Sequence, residues 1–190
     1  MRALLEQALP PPANDAAEAL CRLFTRRVHD KGDMLLRQGD IWTSAFLVER
    51  GILRMHLIGR DGKDFNKNFH LEGSLICPIT TEMAQEPSLF AISALEPTVL
   101  WQASAADLRA ALDERGLWEP LRTAFLARLV SQKLQREHDL LTLDGTARYR
   151  QLCEKRPDIA ERVPLVHLAS FLGLTDVSLS RIRGRLRKSV

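Results

Sequence analysis

The pattern of apolar and polar positions changes character along the chain. From about Val28 to Ala103, short apolar runs alternate with Gly, Pro and Asp turns, which predicts several short strands in a small barrel or roll. Within this region Arg60-Asp61-Gly62-Lys63 predicts a tight hairpin, followed by a return strand from Asp64 to His70. From Leu117 to Leu141, apolar residues recur at helical spacing over about seven turns. The chain therefore begins as a strand-rich fold and continues as a long helix.

Several shorter elements follow from the same pattern. Ile52 to Ile58 is largely apolar on both sets of alternating positions, which favours a strand buried on two faces. The runs 89–95 and 98–103 predict another strand pair around Glu96-Pro97. Ser104 is expected to cap a helix reaching about Leu112, and a helix over 146–155 is expected to end at Pro157-Asp158.

The last 27 residues, from Pro164 to Val190, predict a helix-turn-helix. Apolar residues recur at helical spacing up to Leu172, and Gly173 then breaks the helix. Thr175 stands in an N-cap position before a second helix. The apolar side of that helix consists of Val177 or Leu179, with Ile182 and Leu186, and its other side is basic. An ordinary helical hairpin with a solvated basic end remains the alternative.

The uneven distribution of charge along the chain favours a DNA-binding helix-turn-helix over an ordinary helical hairpin. Residues 1–121 hold 13 Lys and Arg against 17 Asp and Glu, whereas residues 122–190 hold 14 against 7. The net charge thus moves from −4 to +7 within a chain whose total is +3. A cationic final third is the electrostatic footprint expected of a nucleic-acid-binding region.

Composition excludes other classes of protein. A hydrophobic content of 45% and a charged content of 27% predict a globular protein without a membrane span. Three distant cysteines, Cys21, Cys77 and Cys153, favour a reducing cytoplasm over a disulfide framework, and they do not supply an iron–sulfur or zinc ligand set. No catalytic motif is evident, so the sequence predicts no enzyme, no cofactor and no metal. Isolated histidines such as His29, His56 and His70 are weak candidates for a haem ligand.

The long helix predicts a second copy of the chain. A single small domain does not need a helix of about seven turns for its own core, because such helices usually carry a partner helix. The residues expected at the dimer contact are Leu121, Phe125, Leu129 and Leu134. Packing of this face within one chain is the alternative.

Three segments, in this order, resemble the CRP/FNR family of bacterial transcription regulators. Residues 31–40 (KGDMLLRQGD) and 46–54 (FLVERGILR) are similar to two roll signatures of the family, and residues 173–182 (GLTDVSLSRI) are similar to its recognition segment. The resemblance implies an α+β protein with an antiparallel β-roll of the double-stranded β-helix or jelly-roll type over 1–115, a long dimerisation helix and linker over 116–143, and a helix-turn-helix domain over 144–190. It further implies a homodimer on a palindromic operator in double-stranded DNA, with RNA polymerase as a further candidate partner.

The resemblance also places the DNA-binding residues. Arg181 is the best candidate for a base contact, since a guanidinium can bond guanine O6 and N7 together. Val177 either touches a thymine methyl group or packs inside the protein. The full set expected at the interface is Thr175, Asp176, Val177, Ser178, Ser180, Arg181, Arg183, Arg185, Arg187 and Lys188.

The roll departs from the cyclic-AMP-binding members of the family. Those members hold the phosphate with Gly-Glu and then Arg-Ser or Arg-Thr, whereas Ser88, Leu89 and Phe90 stand where the arginine is expected. From Glu72 to Thr98 the sequence has no Lys or Arg, although a buried phosphate needs a cation. We therefore expect a regulator that cyclic AMP does not gate, with Leu89 and Phe90 filling the pocket and any effector unknown. The alternative is a nucleotide- or small-molecule-binding interaction module whose helical tail docks on protein.

Overall fold

The computed structural model describes residues 1–11 and 16–187, and it confirms the α+β class. Over the described residues, short N-terminal helices lead into eight strands, and a series of helices follows them. In chain order the elements are α1 (Arg2–Ala8), α2 (Ala17–Leu20) with a 3-10 turn (Cys21–Leu23), β1 (Thr25–His29), β2 (Met34–Leu36), β3 (Ser44–Arg50), β4 (Leu53–Ile58), β5 (Asp64–His70), β6 (Leu75–Ile76), α3 (Thr81–Gln85), β7 (Ala91–Ala94), β8 (Thr98–Ser104), α4 (Ala105–Asp113), α5 (Trp118–Thr142), α6 (Gly145–Lys155), α7 (Pro157–Arg162), α8 (Leu165–Leu172) and α9 (Asp176–Arg187).

The strands form two four-stranded sheets, with orders β1-β8-β3-β6 and β2-β7-β4-β5. In the first sheet β8 pairs antiparallel with both neighbours, so that Gln102 lies opposite Thr25 on one side and Phe46 on the other. Because β7 and β8 belong to different sheets, the strand pair expected around Glu96-Pro97 is wrong. The turn after Ala94 instead carries the chain from one sheet to the other.

Contacts divide the chain into two compact units, the first comprising Met1–Met55 and Phe69–Leu129. Alternate residues of β3 serve two cores in this unit. Phe46 and Val48 join a cluster inside the roll, whereas Ala45 and Leu47 join a cluster with the N-terminal helices, α4 and the start of α5. A strand covered on both faces explains the continuous apolar run in its sequence.

The second unit comprises His56–Asn68 and Val130–Val190. It contains the hairpin between β4 and β5, the C-terminal half of α5, and α6 to α9. The hairpin closes as predicted: Gly62 has φ +77°, and the Gly59 N–H donates to the Lys63 carbonyl at 2.8 Å. A tip that folds through local bonds keeps the strand after it in register with the strand before it.

Helix starts follow local capping chemistry. The Ser104 hydroxyl accepts the Asp107 N–H at 3.3 Å, which confirms the predicted cap of α4, and the Asp144 carboxylate accepts the Ala147 N–H at 2.8 Å at the start of α6. Pro157 begins α7 rather than only ending the helix before it, because proline lacks the N–H that a first turn leaves unused. Within the described residues no single helix is long and apolar enough to cross a membrane. The pair α8 and α9, bent by 101°, reaches that length and hydropathy only when both are counted together.

Candidate nucleic-acid interface

Within the predicted segment, α8 and α9 form the two helices of a helix-turn-helix over the described residues 165–187. Gly173 ends α8 in the left-handed region, with φ +67° and ψ 38°, and the Leu174 N–H donates to the Ala169 carbonyl at 2.9 Å. Three residues separate α8 from α9, and the two helices are bent by 101° at that break. This angle and loop length are those of the DNA-binding motif, in which the second helix enters the major groove.

Two hydroxyl groups fix the start of α9. The Thr175 Oγ1 atom accepts the Ser178 N–H at 3.1 Å and donates to Ser178 Oγ at 2.8 Å. Thr175 is thus the N-cap that the sequence predicts, and the Ser178 hydroxyl is already engaged within the protein. Both side chains support the geometry of the helix.

One face of α9 is buried in the protein, and the opposite face is exposed to solvent. Leu179 is fully buried and Ile182 nearly so, whereas Val177 is 54% exposed. The structure therefore assigns Leu179, and not Val177, to the packing side, which resolves the alternative left open by the sequence. On a helix of 100° per residue, the side opposite Leu179 and Ile182 carries Val177, Ser180, Arg181 and Gly184.

The remaining predicted positions lie around this face. Exposed side chains include Thr175, Asp176, Ser178, Arg185 and Arg187, and Arg183 is half-buried. Tyr149 of α6 lies close to Arg183 and Arg187: burial raises the pKa of its phenol, and the two charges oppose that rise. Arg183, which is half-buried, therefore lies on the side of α9 next to α6, whereas the Arg187 side chain is exposed. Lys188 lies outside the described residues.

Gly184 also lies on the outward face of α9, although it is not among the predicted DNA-binding residues. A Cβ at this position would meet no atom within 4 Å, so packing gives no reason for a glycine in the middle of α9. Glycine in a helix interior costs about 1 kcal/mol relative to alanine. In the sequence, Gly184 can be recognised as a glycine inside a run of residues that otherwise favours a helix.

The four residues expected at the dimer contact lie in different environments. Leu121 is fully buried in the core of the first unit and has no surface to offer a partner, and Phe125 packs against the same core. Leu129 is half-buried, while Leu134 is 62% exposed. The first turns of α5 complete the core of their own chain, and the exposed apolar positions come later in the helix.

The interior of the roll is occupied by side chains. Trp42, Phe46 and Ile92 are among ten buried residues that form one cluster, and Leu35, Met83 and Phe90 pack against it. Phe90 is half-buried against this cluster, whereas Leu89 is 74% exposed, so the expectation that Leu89 fills the roll is wrong. A nearby cleft of about 240 Å³, lined by residues that include Arg37 and Asp40, is smaller than the roughly 300–1,000 Å³ usual for ligand pockets.

Two backbone N–H groups near the position where the expected arginine is missing are bonded within the protein. The Ser88 N–H donates to the Asp40 carbonyl at 2.9 Å, and the Phe90 N–H donates to the Ser88 hydroxyl at 3.2 Å. Glu72 accepts the Gly51 N–H at 2.8 Å. Among the described residues no group of three or more His, Cys, Asp and Glu is placed to hold a metal ion.

The chain is similar to known proteins in one domain and in its fold. Residues 26–115 match the family model of the cyclic nucleotide-binding domain. FixK2 from Bradyrhizobium japonicum is similar with a TM-score of 0.75 at 18% identity, covering 87% of this chain and 85% of that one. The c-di-GMP-responsive regulator CLP from Xanthomonas campestris gives 0.73 at 15% identity, covering 92% of each chain. No curated protein sequence matches significantly.

The chain has the CRP/FNR fold. The catabolite activator protein of Thermus thermophilus, at 22% identity and a TM-score of 0.57, covers 98% of this chain and 87% of that one. These similarities run through the strands, the long helix and the C-terminal helices alike, so the resemblance seen in the sequence is confirmed for the fold. In this chain, residues 26–115, which match the cyclic nucleotide-binding domain, contain the buried cluster that occupies the interior of the roll.

Proposed function

We propose that this protein is a dimeric, sequence-specific DNA-binding transcription regulator of the CRP/FNR type that cyclic AMP does not gate. The observation that carries the proposal is the outward face of α9. Val177, Ser180 and Arg181 are exposed there, while Leu179 and Ile182 on the other side anchor the helix in its own domain. An apolar group, a hydroxyl and a guanidinium on one exposed face of such a helix are suited to reading base edges in the major groove.

Each side chain on α9 receives a role from its position. Arg181 bonds guanine O6 and N7, and Val177, one turn earlier, contacts a thymine methyl group. Arg185 and Arg187, with Arg183 on the flank, neutralise phosphates and fix the register of the protein on the duplex. Thr175 and Ser178 hold the start of the helix, and Ser180 is available to a base or a phosphate.

A stripe on α5 supplies the dimer contact. Ala127, Val130, Leu134 and Leu141 are all exposed, and they follow one another at spacings of three, four and seven residues. This is the spacing of a coiled-coil seam, which we call the α5 seam. Glu137 falls at the remaining seam position, and a single polar residue there fixes register at some cost in stability. The proposed contact therefore moves from Leu121 and Phe125 toward the C-terminal half of the helix.

Independence from cyclic nucleotides is supported by the roll. Its interior holds side chains, the N–H groups of Ser88 and Phe90 already have acceptors, and Glu72 is engaged by Gly51. The sequence from Glu72 to Thr98, where the family's phosphate-binding residues are expected, contains four glutamates and no Lys or Arg. Burying the charge of a phosphate diester without a paired cation carries a large desolvation penalty.

These assignments define the parts of the regulator. We assign 1–115 to the roll, 116–143 to the dimerisation helix and linker, and 144–190 to DNA binding. The partners are a palindromic operator in double-stranded DNA and a second copy of this chain, with RNA polymerase as the expected recipient of regulation in the cytoplasm. No catalytic step is assigned.

Selection from a random duplex library, followed by mobility shifts with the purified full chain, tests this function. Wild type should select an inverted repeat, with a logarithmic salt dependence of about −0.9 for each phosphate neutralised. Arg181→Ala should cost about 1–3 kcal/mol and relax one base pair in each half-site, whereas Arg187→Ala should weaken all sequences alike. Failure to select any repeat would favour the interaction-module alternative. Unchanged preference in Arg181→Ala would refute the base contact.

A further inference from the structure

A hydroxyl from α8 bonds to the outer edge of a strand in the hairpin. β5 is the last strand of its sheet, so no further strand bonds to the backbone groups along its outer edge. The Asn66 N–H donates to Ser170 Oγ at 2.9 Å, and Ser170 Oγ donates to the Asp64 carbonyl at 3.2 Å. Residues two apart on a strand point their backbone groups to the same side, so one hydroxyl satisfies both.

A second contact from α8 strengthens this junction. The Asn66 side-chain amide lies 3.5 Å from His167 Nδ1, one turn before Ser170 on the same helix. Asn66 is only 4% exposed, so its polar groups depend on partners within the protein. We call the bonds from Ser170 to Asp64 and Asn66 the edge latch.

α5 contacts the same helix at the next residues. The Arg136 guanidinium stacks over the Phe171 ring at 4.5 Å from its centroid, a cation–π contact. The Leu140 side chain lies against the turn, since a Cβ on Gly173 would be 3.1 Å from Leu140 Cδ2. α8 is therefore held by the hairpin at Ser170 and by α5 at Phe171 and Gly173.

We propose that Ser170 is a positioning residue for DNA binding: the edge latch holds the helix-turn-helix in the orientation that presents α9. The inference rests on the proposed function. With the latch closed, Val177 and Arg181 remain exposed, so the closed state is compatible with the major-groove contact. A helix-turn-helix that is already oriented loses less rotational freedom on binding than one hanging from a linker.

The edge latch takes the place of ligand control in a protein whose roll is filled by side chains. In a ligand-gated protein only a small fraction of molecules has the DNA-binding orientation before the ligand binds. The apparent affinity for DNA is reduced in proportion to that fraction. Here the bonds from the hairpin to α8 replace the ligand: they keep the helix-turn-helix in the DNA-binding orientation when no ligand is bound.

The test compares Ser170→Ala, Ser170→Thr and Ser131→Ala in the full-length protein. Ser170→Ala should weaken binding to the selected operator and to a scrambled duplex by the same factor, about five- to thirtyfold for two lost hydrogen bonds. Ser170→Thr keeps the hydroxyl and should recover most of the affinity. Ser131→Ala, at an exposed position of α5, should bind as wild type does.

A DNA-free measurement separates this proposal from the proposed function. Hydrogen exchange at the Asn66 amide should be faster in Ser170→Ala than in wild type, while the thermal unfolding midpoint shows that the variant is folded. Loss of protection with unchanged or tighter DNA binding would overturn the positioning role, as would unchanged protection. If wild type selects no DNA, the proposed function fails, and with it the positioning role, while the exchange data still report whether the edge latch exists.

Discussion

Leu134→Glu should separate the dimer into monomers. Leu134 is 62% exposed in the single chain and lies near the middle of the α5 seam. Full burial of a leucine side chain stabilises by about 1.5–3 kcal/mol, so the part still available to a partner is about 1–2 kcal/mol per copy. A dimer contains this contact twice, which gives about 2–4 kcal/mol, or roughly a thirty- to thousandfold change in the dissociation constant.

The new carboxylates add to that loss. Two glutamates facing each other in a desolvated seam repel, and neither has a cation on the α5 seam to pair with. We therefore expect the dissociation constant of the dimer to rise at least about a hundredfold. Leu134→Ala removes the apolar contact without adding charge and should give a smaller effect.

Sedimentation equilibrium over a range of protein concentrations measures the change directly. Gln132→Glu is the matched control, because it adds the same charge at an exposed position of α5 outside the seam. Wild type and Gln132→Glu should sediment as dimers at micromolar concentration, and Leu134→Glu as a monomer. A dimer of normal strength in Leu134→Glu, or a monomeric wild type, would refute the α5 seam.

Three further expectations address the roll, the hairpin and α9. Calorimetry with cyclic AMP and cyclic GMP should show no saturable heat, and a micromolar dissociation constant for either would return the protein to the ligand-gated class. Burial first, and then repulsion from Lys133, lower the pKa of Lys67 to about 8 from 10.5. Between these pH values the unfolded chain therefore binds more protons than the folded chain. Lys67→Met removes this charge and should raise the free energy of unfolding by about 1–2 kcal/mol at pH 7, after allowance for partial exposure of the side chain. Urea titrations should show that this gain becomes smaller as the pH rises from 8 to 10.5. Gly184→Ala should raise the midpoint of thermal unfolding, because alanine favours the helix by about 1 kcal/mol relative to glycine. If the backbone at Gly184 approaches the duplex, the same change should lower the affinity for DNA. A variant that is more stable and binds DNA as wild type does would show that Gly184 is not in the interface.

Elements controlled by local chemistry could be predicted from the sequence. Asp61-Gly62 predicts a turn by itself, and the structure begins the next strand at Asp64 as expected. Ser104 and Gly173 likewise mark one helix start and one helix end through bonds to residues a few positions away. These signals need no knowledge of the rest of the fold.

Assignments that depend on distant partners could not be predicted in the same way. The apolar pattern of α5 includes both Leu121 and Leu134, but only packing against the N-terminal helices and α4 decides that Leu121 is internal. Val177 and Leu179 are equivalent in an apolar pattern, and the core of the domain selects Leu179. The edge latch joins residues 104 and 106 positions apart, and a serine in an ordinary helical sequence gives no sign of it.

The proposed parts together shift the control of DNA binding from a ligand to the protein itself. If the roll takes no cyclic nucleotide and the edge latch already orients α9, occupancy of an operator depends on how much dimer exists. Only the dimer places two reading helices on two half-sites, so below the dimer dissociation constant occupancy rises with the square of the monomer concentration. If the α5 seam forms the dimer contact, we expect the polar Glu137 within it to weaken the dimer and to raise its dissociation constant, toward concentrations at which changes in abundance alter DNA binding most steeply.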